Sequence, residues 1–126
     1  MTDSKTSPET YTVLIIEDDV EVAKLMELGL QHEGIACRKA TDGAVGLKSF
    51  KDEPPHLVLL DIMMPGMSGR EVLTEIRLIS QVPVLIVSAL ASDEEWPEAN
   101  GFIAKPFSPL RLSKLVRSTL KDVYES

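Results

Sequence analysis

The stretch LLDIMMPG, residues 59–66, places an acidic residue directly after an apolar run that starts at Leu57. A continuous apolar run of this kind predicts a strand that is buried on both faces. Because an isolated charge is costly in a protein core, Asp61 must either reach solvent at the tip of the strand or meet a cation. The Pro65-Gly66 pair that follows predicts a turn. The fold therefore has to accommodate a carboxylate at the end of a buried strand.

Strand-like and helix-like segments alternate on both sides of this stretch. Short apolar runs predict further strands at residues 12–16, 35–40, 82–88 and 101–104. Helical spacing of apolar residues predicts helices over about 20–33, from a cap at Asp42 to Pro54, from a cap at Ser68 to about 79, and from 109 to about 124. This alternation requires right-handed crossovers, and it predicts an α/β fold with a doubly wound parallel sheet between helical layers.

Length, charge and composition limit the classes of function. The chain has 126 residues, which is enough for one domain; we expect a flexible tail at residues 1–10 and the domain at 11–126. A net charge of −7 repels phosphate backbones, so direct binding of nucleic acid is not expected. Neither a membrane-spanning run nor a signal sequence is apparent, and we expect a cytoplasmic location without membrane contact.

Polar residues stand where four of the predicted strands end. Glu17 and Asp18 follow the first strand, Asp61 ends the third, Ser88 ends the fourth and Lys105 follows the fifth. Ligands of such sheets bind outside the carboxyl ends of the strands. Clustered carboxylates need a cation, and Mg²⁺ typically combines one or two carboxylates with a phosphate oxygen. The carboxylates, the Lys105 ammonium and the Ser88 hydroxyl at one edge of the sheet predict a phosphoryl-transfer site. In this site Asp61 is the nucleophile.

Four segments now carry a resemblance to a known family. VLIIEDD (13–19), LLDIMMPGMSG (59–69), VPVLIVSA (82–89) and AKPF (104–107) occur in the order and spacing of the receiver domain of bacterial two-component response regulators. The chain resembles this family over roughly residues 11–122. The resemblance implies a flavodoxin-like fold with strand order 2-1-3-4-5. It also implies a signalling phosphoacceptor, which is no enzyme beyond catalysing its own phosphoryl transfer and hydrolysis.

The resemblance assigns roles to the acidic residues and to one methionine. Asp61 accepts a phosphoryl group from a histidine kinase or a histidine phosphotransfer protein. Asp18 and Asp61 bind Mg²⁺ together with the backbone carbonyl of Met63, and Glu17 holds metal-bound water.

Three further residues form the response to phosphorylation that the resemblance implies. Ser88 hydrogen-bonds the phosphoryl group, and Lys105, which precedes a cis peptide bond to Pro106, pairs with its oxygens. Phe102 matches the switch aromatic of the family. Because phenylalanine lacks a hydroxyl, we expect its inward state to be favoured even without phosphate. The switch changes a protein-interaction surface that a downstream protein or an output domain recognises.

The connection before the fifth strand departs from the family. Ser88 and Lys105 are 17 positions apart, several fewer than usual, and the family's fourth helix falls in this segment. Trp96 precedes Pro97, which disfavours helix there, so we expect a short helix or an ordered loop over 89–100. The family uses this region for partners and for a phosphorylation-dependent homodimer. Trp96 is either a partner anchor or, as we favour, a lid over the protein's own core.

Each motif also has an alternative interpretation. An acidic triplet after a strand is commonly a solvated turn, and Asp19 is expected to cap the following helix. A receiver that only docks proteins is a second candidate function. An aspartate-nucleophile phosphatase is a third, but that class needs a second aspartate at the position of Met63. The sequence names neither the kinase, the output nor the lifetime of the phosphoryl group.

Overall fold

The computed structural model describes residues 10–89 and 96–126, and a parallel sheet runs through the middle of this part of the chain. Its strands are β1 Thr12–Ile16, β2 Ala36–Ala40, β3 Leu57–Asp61, β4 Val84–Ser88 and β5 Gly101–Ala104. The helices of the described residues are α1 Val20–His32, α2 Gly43–Asp52, α3 Gly69–Ile79 and α4 Pro109–Tyr124. Among them we find no helix with the length and apolar character needed to cross a membrane.

The sheet has the strand order β2-β1-β3-β4-β5, and every neighbouring pair is parallel. The direction of winding reverses at β1 and β3, which lie side by side. Their register pairs Ile16 with Leu60, and that of β3 with β4 pairs Asp61 with Val87. The carboxyl ends of these strands therefore end at nearly the same level. The predicted doubly wound fold with order 2-1-3-4-5 is confirmed.

Apolar layers cover both faces of the sheet. The layer under α2 and α3 includes Leu14, Phe50, Leu60, Leu73 and Ile86. The layer under α1 and α4 includes Val13, Met26, Leu59, Val87 and Val116. Successive strand side chains point to opposite faces, so strands covered on both sides have to be apolar throughout. This burial explains the uninterrupted apolar runs in the sequence.

Side chains cap the helices that leave the carboxyl edge of the sheet. Asp19 accepts a hydrogen bond from the Glu21 amide at the start of α1. Ser68 and Glu71 form a reciprocal capping box at the start of α3. Each such cap stabilises a helix by about 1 kcal/mol. The predicted cap at Asp19 is confirmed, and α1 begins at Val20, three residues after Glu17.

The connection from β4 to β5 is anchored to α3 in its described part, residues 96–100. Trp96 is only 7% exposed and packs into the layer under α2 and α3. The Arg70 guanidinium lies 4.0 Å from the centroid of its ring, a cation–π contact. Trp96 therefore covers the protein's own core, as we favoured. Residues 1–9 and 90–95 lie outside the described residues, so the flexible tail and the short helix or loop over 89–100 stay predictions.

A second arginine of α3, Arg77, bonds both to the connection from β4 to β5 and to the residues just before β4. Arg77 donates to the carbonyl of Glu98 at 2.9 Å, to that of Val82 at 2.7 Å and to Oδ1 of Asn100 at 3.0 Å. The same oxygen of Asn100 accepts from the amide of Val84 at 2.9 Å. These bonds fix the entry to β5.

Candidate functional site

Acidic and basic side chains from three strands meet at the carboxyl edge of the sheet. Glu17 and Asp18 directly follow β1, Asp61 ends β3 and Lys105 follows β5. Oxygens of the three carboxylates all lie within 4.8 Å of one another. The Lys105 ammonium is 2.8 Å from Oε1 of Glu17 and 3.5 Å from Oδ2 of Asp61. The structure thus brings together residues that are up to 88 positions apart in the sequence.

Backbone amides hold two of the carboxylates in place. Glu17 is 1% exposed and Asp61 3% exposed, whereas Asp18 is exposed. The amide of Asp19 donates to Oε2 of Glu17 at 3.1 Å, and the amide of Met63 donates to Oδ1 of Asp61 at 3.2 Å. The other oxygen of Asp61, Oδ2, faces the lysine. Asp61 therefore has one oxygen fixed by the backbone and one directed into the cluster.

Burial and crowding change the proton affinities in the cluster. Burial raises the pKa of the Glu17 carboxyl from 4.5 to about 7; Lys105 and the Asp19 amide oppose this change, and Asp61 adds to it. Burial alone would lower the pKa of Lys105, but its interaction with the Glu17 carboxylate and the charge of Asp61 outweigh that effect and raise it. Lys105 therefore stays charged at neutral pH, whereas Glu17 is close to its titration midpoint.

The donor set fits a hard divalent cation. Oε1 of Glu17 is buried and has no hydrogen-bond partner among the described residues. The Lys105 ammonium, 2.8 Å away, compensates its charge as an ion pair. A buried oxygen without a partner and two further carboxylates, one of them exposed, match Mg²⁺, which binds oxygen ligands and retains several waters. The residues present therefore fit this metal.

Ser88 and Phe102 lie on the two strands beyond β3. Ser88 is fully buried at the end of β4, and its carbonyl accepts from the amide of Lys105 at 2.8 Å. The Lys105-Pro106 peptide bond is cis, as the resemblance implied. Phe102 is half-buried and packs against the layer that contains Trp96. Ser88 thus ends β4 and Phe102 lies on β5, and the roles that the resemblance implies for them stay predictions.

Gly69 supports the site and was not singled out from the sequence. Gly69 is the first residue of α3 and lies next to the end of β3. Its amide donates a hydrogen bond to the carbonyl of Ile62 at 3.1 Å. A Cβ atom at this position would lie 2.5 Å from the carbonyl oxygen of Asp61 and from the Cα of Ile62. Only glycine therefore lets α3 approach this closely. The sequence marks Ser68 as the cap of the helix, but nothing in it shows which backbone the next residue meets.

Comparison with known proteins identifies the family. The family model of the response regulator receiver domain matches residues 13–117. The "Probable transcriptional regulator ycf27" of Porphyridium aerugineum is 36% identical over 116 residues, which are 88% of this chain and 48% of that protein. The chain spans about half the length of the curated relatives it matches.

Solved structures agree with the sequence comparison. A CheY-like response regulator receiver domain from Methanospirillum hungatei superposes with a TM-score of 0.82 at 27% identity, covering 90% of this chain and 96% of that one. The response regulator TrrA from Thermotoga maritima, solved in complex with Mg²⁺ and BeF, superposes with a TM-score of 0.78 at 29% identity, covering 86% of this chain and 97% of that one. The chain therefore belongs to the response regulator receiver domain family, whose members are signalling phosphoacceptors.

Proposed function

We propose that Asp61 accepts a phosphoryl group from a phosphohistidine on a histidine kinase or histidine phosphotransfer protein, with Mg²⁺ as cofactor. The supporting observation is the surroundings of Asp61 Oδ2. This oxygen lies 3.5 Å from the Lys105 ammonium, inside a group of three carboxylates that fits a divalent cation. A nucleophile placed among fixed positive charges is what phosphoryl transfer needs, since the chemistry depends on positioning and on charge neutralisation.

The proposed step forms one bond and breaks one. An oxygen of Asp61 attacks the phosphorus while the P–N bond to the donor imidazole breaks, and the imidazole nitrogen takes up a proton. The Met63 amide orients the carboxylate, and Lys105 neutralises charge on the phosphoryl oxygens. Asp18, Asp61 and the Met63 carbonyl would hold Mg²⁺, with Glu17 on a bound water. When bound, the ion supplies further charge neutralisation on the transferred group.

Ser88 and Phe102 would convert the modification into a change of surface. The hydroxyl of Ser88 can donate to a phosphoryl oxygen and draw the end of β4 towards Asp61. The Ser88 carbonyl is bonded to the Lys105 amide, so this movement would also reach the end of β5. Phe102 lies three residues before Lys105 and would follow. The altered surface is then recognised by a downstream protein or output domain, or by a second copy of the chain.

The same site would hydrolyse its own phosphoryl group, which makes this chain catalytic only towards itself. Met63 is 60% exposed beside Asp61 and would shield the acyl phosphate from water. We propose slow hydrolysis for this reason. A fast loss of phosphate from the modified protein would contradict it.

The wider setting is also a proposal. Relatives of about twice the length are named transcriptional regulators, and this chain would serve such a protein as its receiver. The charge of −7 argues against DNA contact by these 126 residues and does not bear on a longer protein. A cytoplasmic location of the chain is part of this proposal.

Intact mass after incubation with Mg²⁺ and a small phosphodonor tests the proposed role of Asp61. The wild type is expected to gain one phosphoryl group, and Asp61→Asn none. Asp52→Asn is the matched control, since Asp52 is an exposed carboxylate paired with Lys48 on α2, and it is expected to react like the wild type. An unmodified wild type would refute the proposal and favour a receiver that only docks proteins.

A further inference from the structure

Three aromatic side chains form a cluster at the amino edge of the sheet, opposite the carboxylates. Tyr11 precedes β1, His56 precedes β3 and Tyr124 ends α4. The ring centroids are 5.3 Å apart for Tyr11 and His56, 5.4 Å for His56 and Tyr124 and 5.8 Å for the two tyrosines. Both contacts of the imidazole are edge-to-face. We call Tyr11, His56 and Tyr124 the aromatic cluster.

Hydrogen bonds make His56 the centre of this cluster. The Thr12 amide donates to Nδ1 of His56 at 3.0 Å, and the His56 amide donates to the Thr12 carbonyl at 2.8 Å. The Tyr124 hydroxyl donates to the His56 carbonyl at 2.6 Å. One residue thus joins the starts of β1 and β3 to the last turn of α4. The bond to Nδ1 exists only while this nitrogen carries a lone pair, because a protonated imidazole has N–H donors on both nitrogens.

The groups that face the imidazole do not favour its protonation. Two phenol rings and the Thr12 backbone surround it, and the Glu125 carboxylate joins the cluster through the Tyr11 hydroxyl, which donates to it at 2.6 Å. Burial lowers the pKa of His56 below its ordinary value of 6.5. The geometry alone already requires the neutral form.

We propose that His56 is a pH-sensitive switch that holds the last turn of α4 on the sheet. Neutral His56 accepts the Thr12 amide and keeps its ring between the two tyrosines. A proton on Nδ1 would face the Thr12 N–H, so the charged ring has to turn away, and the edge-to-face contact with Tyr124 is lost. The last turn of α4 then keeps only the Tyr124 hydrogen bond to the His56 carbonyl and the contact with the Tyr11 ring, so it opens more often.

The sign of the effect follows from linkage. The unfolded chain binds a proton at His56 below about pH 6.5, whereas the folded chain resists it. The stabilisation from His56 is therefore fully present above that pH and is lost as the pH falls through the lower pKa of the folded state. The raised pKa of Glu17 acts in the opposite direction. A variant of His56 leaves Glu17 unchanged, so the difference between the two proteins isolates the histidine.

NMR titration of the two histidines, with amide exchange at several pH values, tests the switch. His56 is expected to titrate below its ordinary value of 6.5. His32, which is exposed at the end of α1, supplies the control variant. Protection of the Thr12 amide and of the amides around Tyr124 is expected to be lost as His56 protonates. In His56→Asn the side-chain oxygen can still accept the Thr12 amide but does not titrate, so this pH dependence should disappear. His32→Asn is the matched control and should keep it.

Two results would overturn the proposal. One is a wild type in which His56 titrates while the amides of Thr12 and Tyr124 remain protected, a measurement that does not depend on any variant folding. The other is a His56→Asn variant that retains the wild-type pH dependence at α4. Neither involves phosphorylation, so the switch and the proposed function of Asp61 can fail independently.

Discussion

Glu17 is the residue on which the electrostatics of the site depend most. Its side chain is almost fully buried, one oxygen lacks a hydrogen bond among the described residues, and its pKa is raised to about 7. The only nearby ammonium, among the residues that the structure describes, belongs to Lys105, which also serves Asp61. One cation thus faces two buried carboxylates, and we expect the metal-free protein to be strained at neutral pH.

We predict that Glu17→Gln stabilises the metal-free protein at alkaline pH. The folded wild type retains a proton at Glu17 up to about pH 7, whereas the unfolded chain loses it near 4.5. The wild type is therefore most stable below pH 4.5 as far as this group is concerned, and it loses stability as the pH rises through 7. Glutamine imitates the protonated acid and removes this loss. Urea unfolding with a chelator, at a series of pH values, measures the difference.

The control for this measurement is Glu21→Gln, an exposed acid on the first turn of α1. It should show no comparable gain between pH 5 and 8. A Glu17→Gln protein that is less stable than the wild type at pH 8 would mean that the Lys105 ion pair outweighs burial. Added Mg²⁺ should stabilise the wild type more than Glu17→Gln, since the variant lacks one carboxylate near the ion.

At the level of single residues, the sequence predicted the charged members of the site but not its supports. Glu17, Asp18, Asp61 and Lys105 follow apolar runs, so a parallel sheet must bring them to one edge. Gly69 has no such signal, because its importance comes from a backbone contact that depends on the tertiary structure. No pattern in the sequence indicates the position of His56, which lies partly buried between two tyrosines.

Helix α3 is the element that connects the site to the rest of the fold. Its first residue touches the end of β3, and Arg70 and Arg77 bind the connection that enters β5. A displacement of the end of β3 or of the connection that enters β5 would therefore shift the same helix. We derive two predictions from these contacts.

The first concerns Gly69→Ala. A methyl group 2.5 Å from two backbone atoms cannot be relieved by a side-chain rotation, so the start of α3 has to move away from Asp61. We expect a loss of about 1–3 kcal/mol in the free energy of unfolding and slower phosphorylation of the folded fraction. Thr74→Ala, at an exposed position of the same helix, should change neither. Wild-type stability of Gly69→Ala would show that the contact is looser than described.

The second concerns Arg77→Lys. The guanidinium donates to Glu98 and Asn100 of the connection and to two carbonyls just before β4, and a single ammonium cannot reproduce this planar arrangement. We expect about 1–3 kcal/mol of destabilisation and faster exchange of the Val84 and Asn100 amides. Arg111→Lys, on the exposed side of α4, provides the control. Unchanged exchange at both amides would show that Asn100 holds the entry to β5 alone.

At the scale of whole elements, sequence patterns predicted the positions of the strands better than the structure of the connections between them. The strands β1, β3 and β4 are buried on both faces, which leaves an unmistakable apolar run. The segment after Ser88 has no apolar period, and its described part is fixed by Trp96, Arg77 and Asn100. Their partners lie on other elements. Local patterns do not predict such contacts, and only Trp96-Pro97 predicted that the described part, residues 96–100, is not helical.

At the scale of the whole molecule, Trp96 is the only tryptophan of the chain and therefore reports on the core beside the β4–β5 connection. It lies in the same apolar layer as Phe102, on the connection that starts at Ser88. We predict that Mg²⁺ with a phosphoryl mimic such as beryllofluoride changes Trp96 fluorescence in the wild type but not in Asp61→Asn. Size measured in parallel reports whether a dimer forms. An unchanged emission spectrum at saturating mimic would show that the connection does not respond to the site.

The contact of the Tyr11 and Tyr124 rings places the first and last described elements at one corner of the molecule. Segments that precede residue 10 or follow residue 126 would leave from neighbouring points, on the side away from the carboxylates. A host protein could therefore carry the whole domain inside one of its surface loops. A circular permutant that joins these two points with a short linker should fold, provided that its new ends open an exposed turn such as Pro65-Gly66.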